Sequence, residues 1–246
     1  MMTDIKTILW KEFRELFQAR QGLFGRGGWI SIAVTVALLG VLIPIQAGEG
    51  WVSDPLNMAW WVWVPFLMVT YIVTDTFAGE RERHTLETLL ASRLSDRTIL
   101  LGKTLSVVLY GWGIAMIGTV TSLITVNVSA GRGHLLMYSS GAGLALLALI
   151  FLFTLLSSVM GVFISLRSAT VRQAQQVTSL IALVPLLPLM LLGILPDDLV
   201  KKLAASLSQV NGSMVVLVAI GILAVVDFAF IALAMKRFQR AKLILD

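Results

Sequence analysis

The sequence predicts an all-α membrane protein of six transmembrane helices. A helix lying in the membrane interface precedes them, and a short cytoplasmic helix joins the second to the third. Three observations predict this class. Of 246 residues, 57% are hydrophobic and only 13% charged, where a soluble domain carries roughly 25% charged, and the mean hydropathy is +0.88. Several runs approach or exceed the roughly 18 apolar residues that cross a bilayer. The 19 Lys and Arg residues gather in alternate loops, a distribution that reports topology. The net charge of +5 could suggest nucleic acid, but its placement between apolar runs assigns it to topology, and no nucleic-acid partner is expected. Cysteine is absent, which excludes disulfide and thiolate chemistry and says nothing of compartment.

Residues 1–28 form the N-terminal unit. Ile5, Ile8, Leu9, Phe13, Leu16 and Phe17 share one helical face, with Lys6, Lys11, Arg14, Glu15 and Gln18 off it. This is the pattern of a helix whose apolar face meets the lipid boundary and whose cations sit near anionic headgroups. Charges interrupt its apolar residues, unlike the unbroken core of a signal peptide. Gly22, Gly25, Gly27 and Gly28 then permit a sharp turn into the bilayer.

The six-span domain covers 29–235. The first span is 29–45, followed by an outer loop at 46–57 without Lys or Arg. The second is 58–75, with Trp60, Trp61 and Trp63 near its outer end as an aromatic belt and Pro65 as a kink. The third is 104–126 and the fourth 140–164, joined by a loop around Arg132. A loop at 165–176 holding Arg167 and Arg172 leads to the fifth, 177–195, which contains Pro185 and Pro188. An outer loop at 196–212 precedes the sixth, 213–235, and the tail is 236–246. In the outer loop, Leu199, Leu203, Leu207 and Val210 follow Asp197 and Asp198, suggesting either an amphipathic outer gate helix with its acids at the N-terminal dipole or an inert loop on the headgroups. Sixteen of the 19 basic residues lie on the side of both termini, so the positive-inside rule makes that side cytoplasmic. The expected location is the plasma membrane.

The segment 76–103 is the one long charged stretch inside the chain. Arg81, Arg83, Arg93, Arg97 and Lys103 mix with Glu80, Glu82, Glu87 and Asp96. Within it Leu86, Leu89, Leu90 and Leu94 recur at helical spacing, giving a short helix one apolar stripe and one charged face. So short a helix is unstable alone and needs a docking surface.

Other motifs carry less. LeuGlyLysThr at 101–104 resembles the end of a phosphate-binding loop, but Arg97 stands where that loop needs glycine. His84 and His134 are expected on opposite sides of the membrane and cannot share a metal. No nucleophile and base pair at one depth, so no enzyme activity is expected. Ser157, Gly161 and Ser165 make a row of small residues that suits helix contact. Asp227 is the acid well inside a span, where a partner or a function is expected.

Over 79–103, GlyGluArgGlu, then ThrLeuGlu-x-LeuLeu-x-Ser, then IleLeuLeuGlyLys resembles the signature of ABC-2-type transporter permeases, the membrane subunits of type V ABC exporters. His84 and Arg93 depart from it, standing where the family often has Gly and Pro. The resemblance implies a permease paired with a second copy or relative, and two cytoplasmic ABC ATPase subunits that bind ATP and Mg. It makes the segment after the second span a coupling helix seated in the ATPase. Gly79, Glu80, Arg81 and Glu82 would frame its beginning, and Thr85, Leu86, Glu87, Leu89, Leu90 and Ser92 would dock. Leu86, Leu89 and Leu90 would then bury apolar area in the partner, and the first, second and fifth spans would line the dimer interface. The chain itself is expected to hold no cofactor and no metal. Two other classes stay open: an ion-coupled transporter or channel using Asp227 and Asp75, and a membrane anchor that recruits an ATPase without transport. No polar cluster names a substrate.

Overall fold

The computed structural model describes residues 2–18, 26–183 and 212–238, together with Pro196 and Leu199. Every regular element among them is a helix. In chain order they are α1 (Met2–Gln18), α2 (Arg26–Ala37), a π-helical turn (Leu38–Leu42), α3 (Ile43–Ala47) and α4 (Gly50–Ser53). Then come α5 (Pro55–Glu82), α6 (Leu86–Leu90), α7 (Asp96–Ala130), α8 (Ser140–Ser165), α9 (Val171–Leu183) and α10 (Gly212–Arg237).

Among the described residues, four helical stretches are long and apolar enough to cross a membrane: Trp60–Glu82, Asp96–Ala130, Ser140–Ser165 and Gly212–Lys236. They match the second, third, fourth and sixth expected spans. The first expected span is a shorter apolar helix, Ile32–Ala47, which contains the π turn. Pro44 has no N–H for the carbonyls one turn behind it, and the Gly40 carbonyl instead accepts from the Thr125 hydroxyl at 2.8 Å. Most of the fifth expected span lies outside the described residues. Its start differs from expectation: α9 begins at Val171 inside the presumed loop, because Thr170 and Glu82 both accept hydrogen bonds from its first amides.

The helices overrun their apolar stretches. α5 continues seven residues past Asp75, and α7 begins at Asp96, where Ser95 accepts from the Thr98 amide at 3.3 Å. Arg, Glu and Lys are good helix formers, so a helix end does not stop where hydropathy falls.

α5 packs against α7, α8 and α9, and α1 lies on α7. Small residues allow the close approaches. A Cβ on Gly161 of α8 would sit 2.0 Å from Val73 of α5, and one on Gly118 of α7 would sit 2.2 Å from the Trp61 ring. Hydroxyls fill the same seam: Ser157 donates to the Phe66 carbonyl at 3.0 Å, and Ser158 to the Thr104 carbonyl at 3.1 Å. The row Ser157, Gly161 and Ser165 therefore serves packing within the chain.

Two apolar clusters result. One, near the α6 end of the bundle, centres on Val73, Phe77, Ile99, Val162 and Phe238. The other, at the opposite end, holds Leu39, Trp51, Trp61 and Ile150. The tryptophans correct the aromatic-belt expectation. Trp60 is exposed, but Trp61 is buried edge-on against a buried Trp51, and Trp63 stacks on Phe66.

Candidate functional site

The corner where α1, the end of α5, α6, α7, α8 and α9 meet is built by the four residues Gly79 to Glu82, each with a different task. Gly79 makes room. Asp75 and Arg83 lie one turn before and after it and pair across its face at 3.2 Å, where a Cβ would stand 2.0 Å from the Asp75 carboxylate. Glu80 is buried and points toward α1 and α7. Arg81 donates to the carbonyls of Ser168 and of Leu166, the latter at 3.2 Å, placing a cation at the negative end of α8. Glu82 accepts from the Val171 amide at 2.8 Å, placing an anion at the positive end of α9.

Lys103 is the centre of the corner. Its side chain is 2% exposed, and the ammonium lies 2.8 Å from Glu12 and 3.2 Å from Glu80, above the Phe77 ring. Lys11 reaches the same Glu80 at 3.6 Å and Glu15 at 3.2 Å. Partial burial works to lower the Lys11 pKa, and Glu80, Glu15 and Glu12 more than offset it, so the value lies above the ordinary lysine range. Glu80 also accepts from the Thr85 hydroxyl at the start of α6. α1, α7 and the start of α6 thus share one buried carboxylate. The carboxylates of Glu12, Glu15 and Glu80 come within 4.8 Å of one another, and between them Lys11 and Lys103 pair with all three.

Glu12 was not among the expected site residues, although the sequence carried a signal. It falls four residues after Ile8, inside the apolar stripe of α1, where a carboxylate needs a partner. The structure also shows that α1 does not give this stripe to lipid alone. Ile8 is buried against α7, where a Cβ on Gly102 would meet it at 2.7 Å.

The turn after α5 explains why His84 stands at a glycine position of the resembled signature. His84 has φ +55, its amide donates to the Arg81 carbonyl at 3.1 Å, and the Thr85 amide donates to the Glu80 carbonyl at 2.9 Å. This pair of bonds is the Schellman termination, whose left-handed residue is usually glycine.

The helix α6 covers five residues, shorter than the 85–92 expected. Leu86 is buried in the chain's own core, and Leu89 packs partly against it. Leu86 thus contributes to this fold's own core, while Leu89 keeps part of its surface exposed. The Leu90 side chain lies outside the described residues. Ser92 is half-buried, its hydroxyl donating to the Leu89 carbonyl at 2.7 Å. Among the described residues the corner exposes mainly polar side chains, His84, Thr85, Glu87, Thr88 and Arg93, together with Ala91.

Asp227 is far from this corner. It is 2% exposed in α10, and neither carboxylate oxygen has a hydrogen-bond partner among the described residues. Leu199 is exposed; Leu203 and Leu207, and with them the outer gate helix, lie outside the described residues.

Comparison with known proteins supplies the context. The family model described as "ABC-2 type transporter" matches residues 3–211. Over 127 residues the chain is 34% identical to the "ABC transporter permease protein NatB" of Bacillus subtilis (strain 168), covering 46% of this chain and 32% of that protein. The chain thus spans about a third of the length of this curated relative. No solved structure matches. With a match over most of its length and the corner motif in place, this chain belongs to the ABC-2 type transporter family as a membrane permease.

Proposed function

We propose that this chain is the permease half of an ATP-driven exporter of the plasma membrane. It has six spans and both termini in the cytoplasm. It pairs with a second copy, and two separate ATPase subunits, which bind ATP and Mg, dock on its α6 corner. The observation that carries this reading is the Glu80 hub. The carboxylate holds α6 through Thr85, α1 through Lys11 and α7 through Lys103, while Arg81 and Glu82 fasten the ends of α8 and α9 to the same turn. A push on α6 is therefore delivered to several helices at once rather than absorbed by a loose loop. Alternating access follows if the ATPase biases two arrangements of those helices.

The docking face in this reading is the exposed polar side, with Glu87 and Arg93, and the motif residues position it. Purification from native membranes in mild detergent tests the assignment. The wild type should bring a stoichiometric partner carrying phosphate-binding loops, and Glu87→Lys with Arg93→Glu should lose it. Retention of that partner by the double variant overturns the docking face.

Asp227, buried and without a hydrogen-bond partner among the described residues, favours a second reading, an ion-coupled transporter. In that case Asp227→Asn abolishes transport in reconstituted vesicles and ATP has no effect.

A further inference from the structure

Besides the corner, the described residues contain a crevice of about 220 Å³ between α1, α7, α8 and α10. Apart from Thr104 its walls are apolar side chains, among them Ile5, Leu101, Leu105, Phe151, Leu155 and Ile231. It runs from Leu100 to Val108 along α7, roughly 12 Å at 1.5 Å per residue. It is not sealed within the protein: Leu105 and Phe151 on its rim are 36% and 40% exposed. Both belong to helices long and apolar enough to span a membrane, so the opening lies at a depth where hydrocarbon can reach it.

The ends of the crevice differ. Toward the opposite end of the bundle its walls stay apolar. At the α6 end, Lys6 follows Ile5 directly, and Arg97 stands one helical turn before Leu101, on the row that continues through Leu105 and Val108. Lys6 and Arg97 are both exposed. Asp4 and Asp96, the acids beside them in the chain, are half-buried and engaged in interactions of their own. An apolar slot opening sideways into lipid, with cations at its interfacial end, matches one class of molecule. We propose that the crevice holds an acyl chain of an anionic phospholipid from the leaflet at the α6 end, its headgroup against Lys6 and Arg97.

The chemistry is complementary at both ends. The acyl chain meets walls that are apolar except at Thr104, so its entry costs little in hydrogen bonding, and an anionic headgroup at the membrane surface attracts nearby Lys and Arg. Since Ile5 belongs to α1, a bound lipid would brace the helix that Glu12 ties to Lys103. This assignment is independent of whether an ATPase docks at α6.

The test uses the full chain in nanodiscs containing phosphatidylglycerol with a photoactivatable group in its acyl chain. A phosphatidylcholine probe carrying the same acyl chain serves as the comparison. Labelled peptides are mapped by mass spectrometry. The anionic probe should label the α7 and α8 peptides around Leu105 and Phe151 several-fold more than the zwitterionic one. Leu105→Trp, which fills the slot, should abolish that label. Lys6→Gln with Arg97→Gln, both at exposed positions, should lower the anionic label to the zwitterionic level. Equal labelling by the two probes overturns the proposal, as does labelling unchanged in the double Gln variant. Absence of label from the crevice, as when a second copy or residues 184–211 cover it, overturns it too.

Discussion

The Lys103 ammonium of α7 lies 2.8 Å from the Glu12 carboxylate of α1, with both side chains withdrawn from solvent. The pair closes a contact between segments 91 residues apart, and Glu80 joins it from α5. Burying one cation with two carboxylates is costly unless each is satisfied. Here the fold satisfies them by bringing α1, α5 and α7 to one point.

Lys103→Met leaves Glu12 and Glu80 facing each other without their shared cation. Removing one partner of a buried pair costs roughly 3–5 kcal/mol, so the variant should unfold at clearly lower denaturant in detergent. Adding Glu12→Gln should recover part of the loss. A double-mutant cycle over these two positions should return a coupling well above the scatter of independent sites.

Gly161→Ala should destabilise the α5–α8 seam, because its Cβ would lie 2.0 Å from Val73. Overpacking of this kind costs roughly 1–3 kcal/mol. Val73→Ala in the same chain removes the clashing methyl groups and should restore much of the thermal stability, although Val73→Ala alone lowers it.

His84 tests the left-handed turn at the end of α5. Glycine adopts φ +55 without a Cβ penalty, so His84→Gly should leave stability unchanged or raise it by up to about 1 kcal/mol. His84→Val, branched at the strained position, should lower it by a similar amount. A melting-temperature series in one detergent separates the three.

Leu86 and Glu87 are neighbours with opposite roles. Leu86→Asp places a charge in the chain's own core and should reduce folded protein in the membrane. Glu87→Lys alters an exposed position and should leave thermal stability within about 0.5 kcal/mol while weakening co-purification of the ATPase. If the two variants behave alike in both assays, α6 is only a structural turn.

Much of this was legible in the sequence, though unevenly. The long helices α7, α8 and α10 follow from the length of their apolar runs, and the corner motif marks where α5 ends. The row Ser157, Gly161 and Ser165 pointed to a helix contact, which the Val73 approach bears out. The ends of α5 and α7 were not legible from the apolar runs, because charged helix formers extend a helix beyond them. The inward turn of Leu86 was missed because an apolar stripe on a short helix does not say which surface covers it.

The sequence by itself determined that this chain crosses a membrane several times, and which segment is charged between spans. Those properties are set by the hydrocarbon thickness and by backbone hydrogen bonding, which act on each segment separately. Which face of each helix turns inward was decided only by the tertiary structure. Lipid and protein interior are equally apolar, so hydropathy cannot tell Trp60 from Trp61, one exposed and one buried. Close packing at Gly118 and Gly161, and the need of Glu12, Glu80 and Lys103 for one another, make that choice.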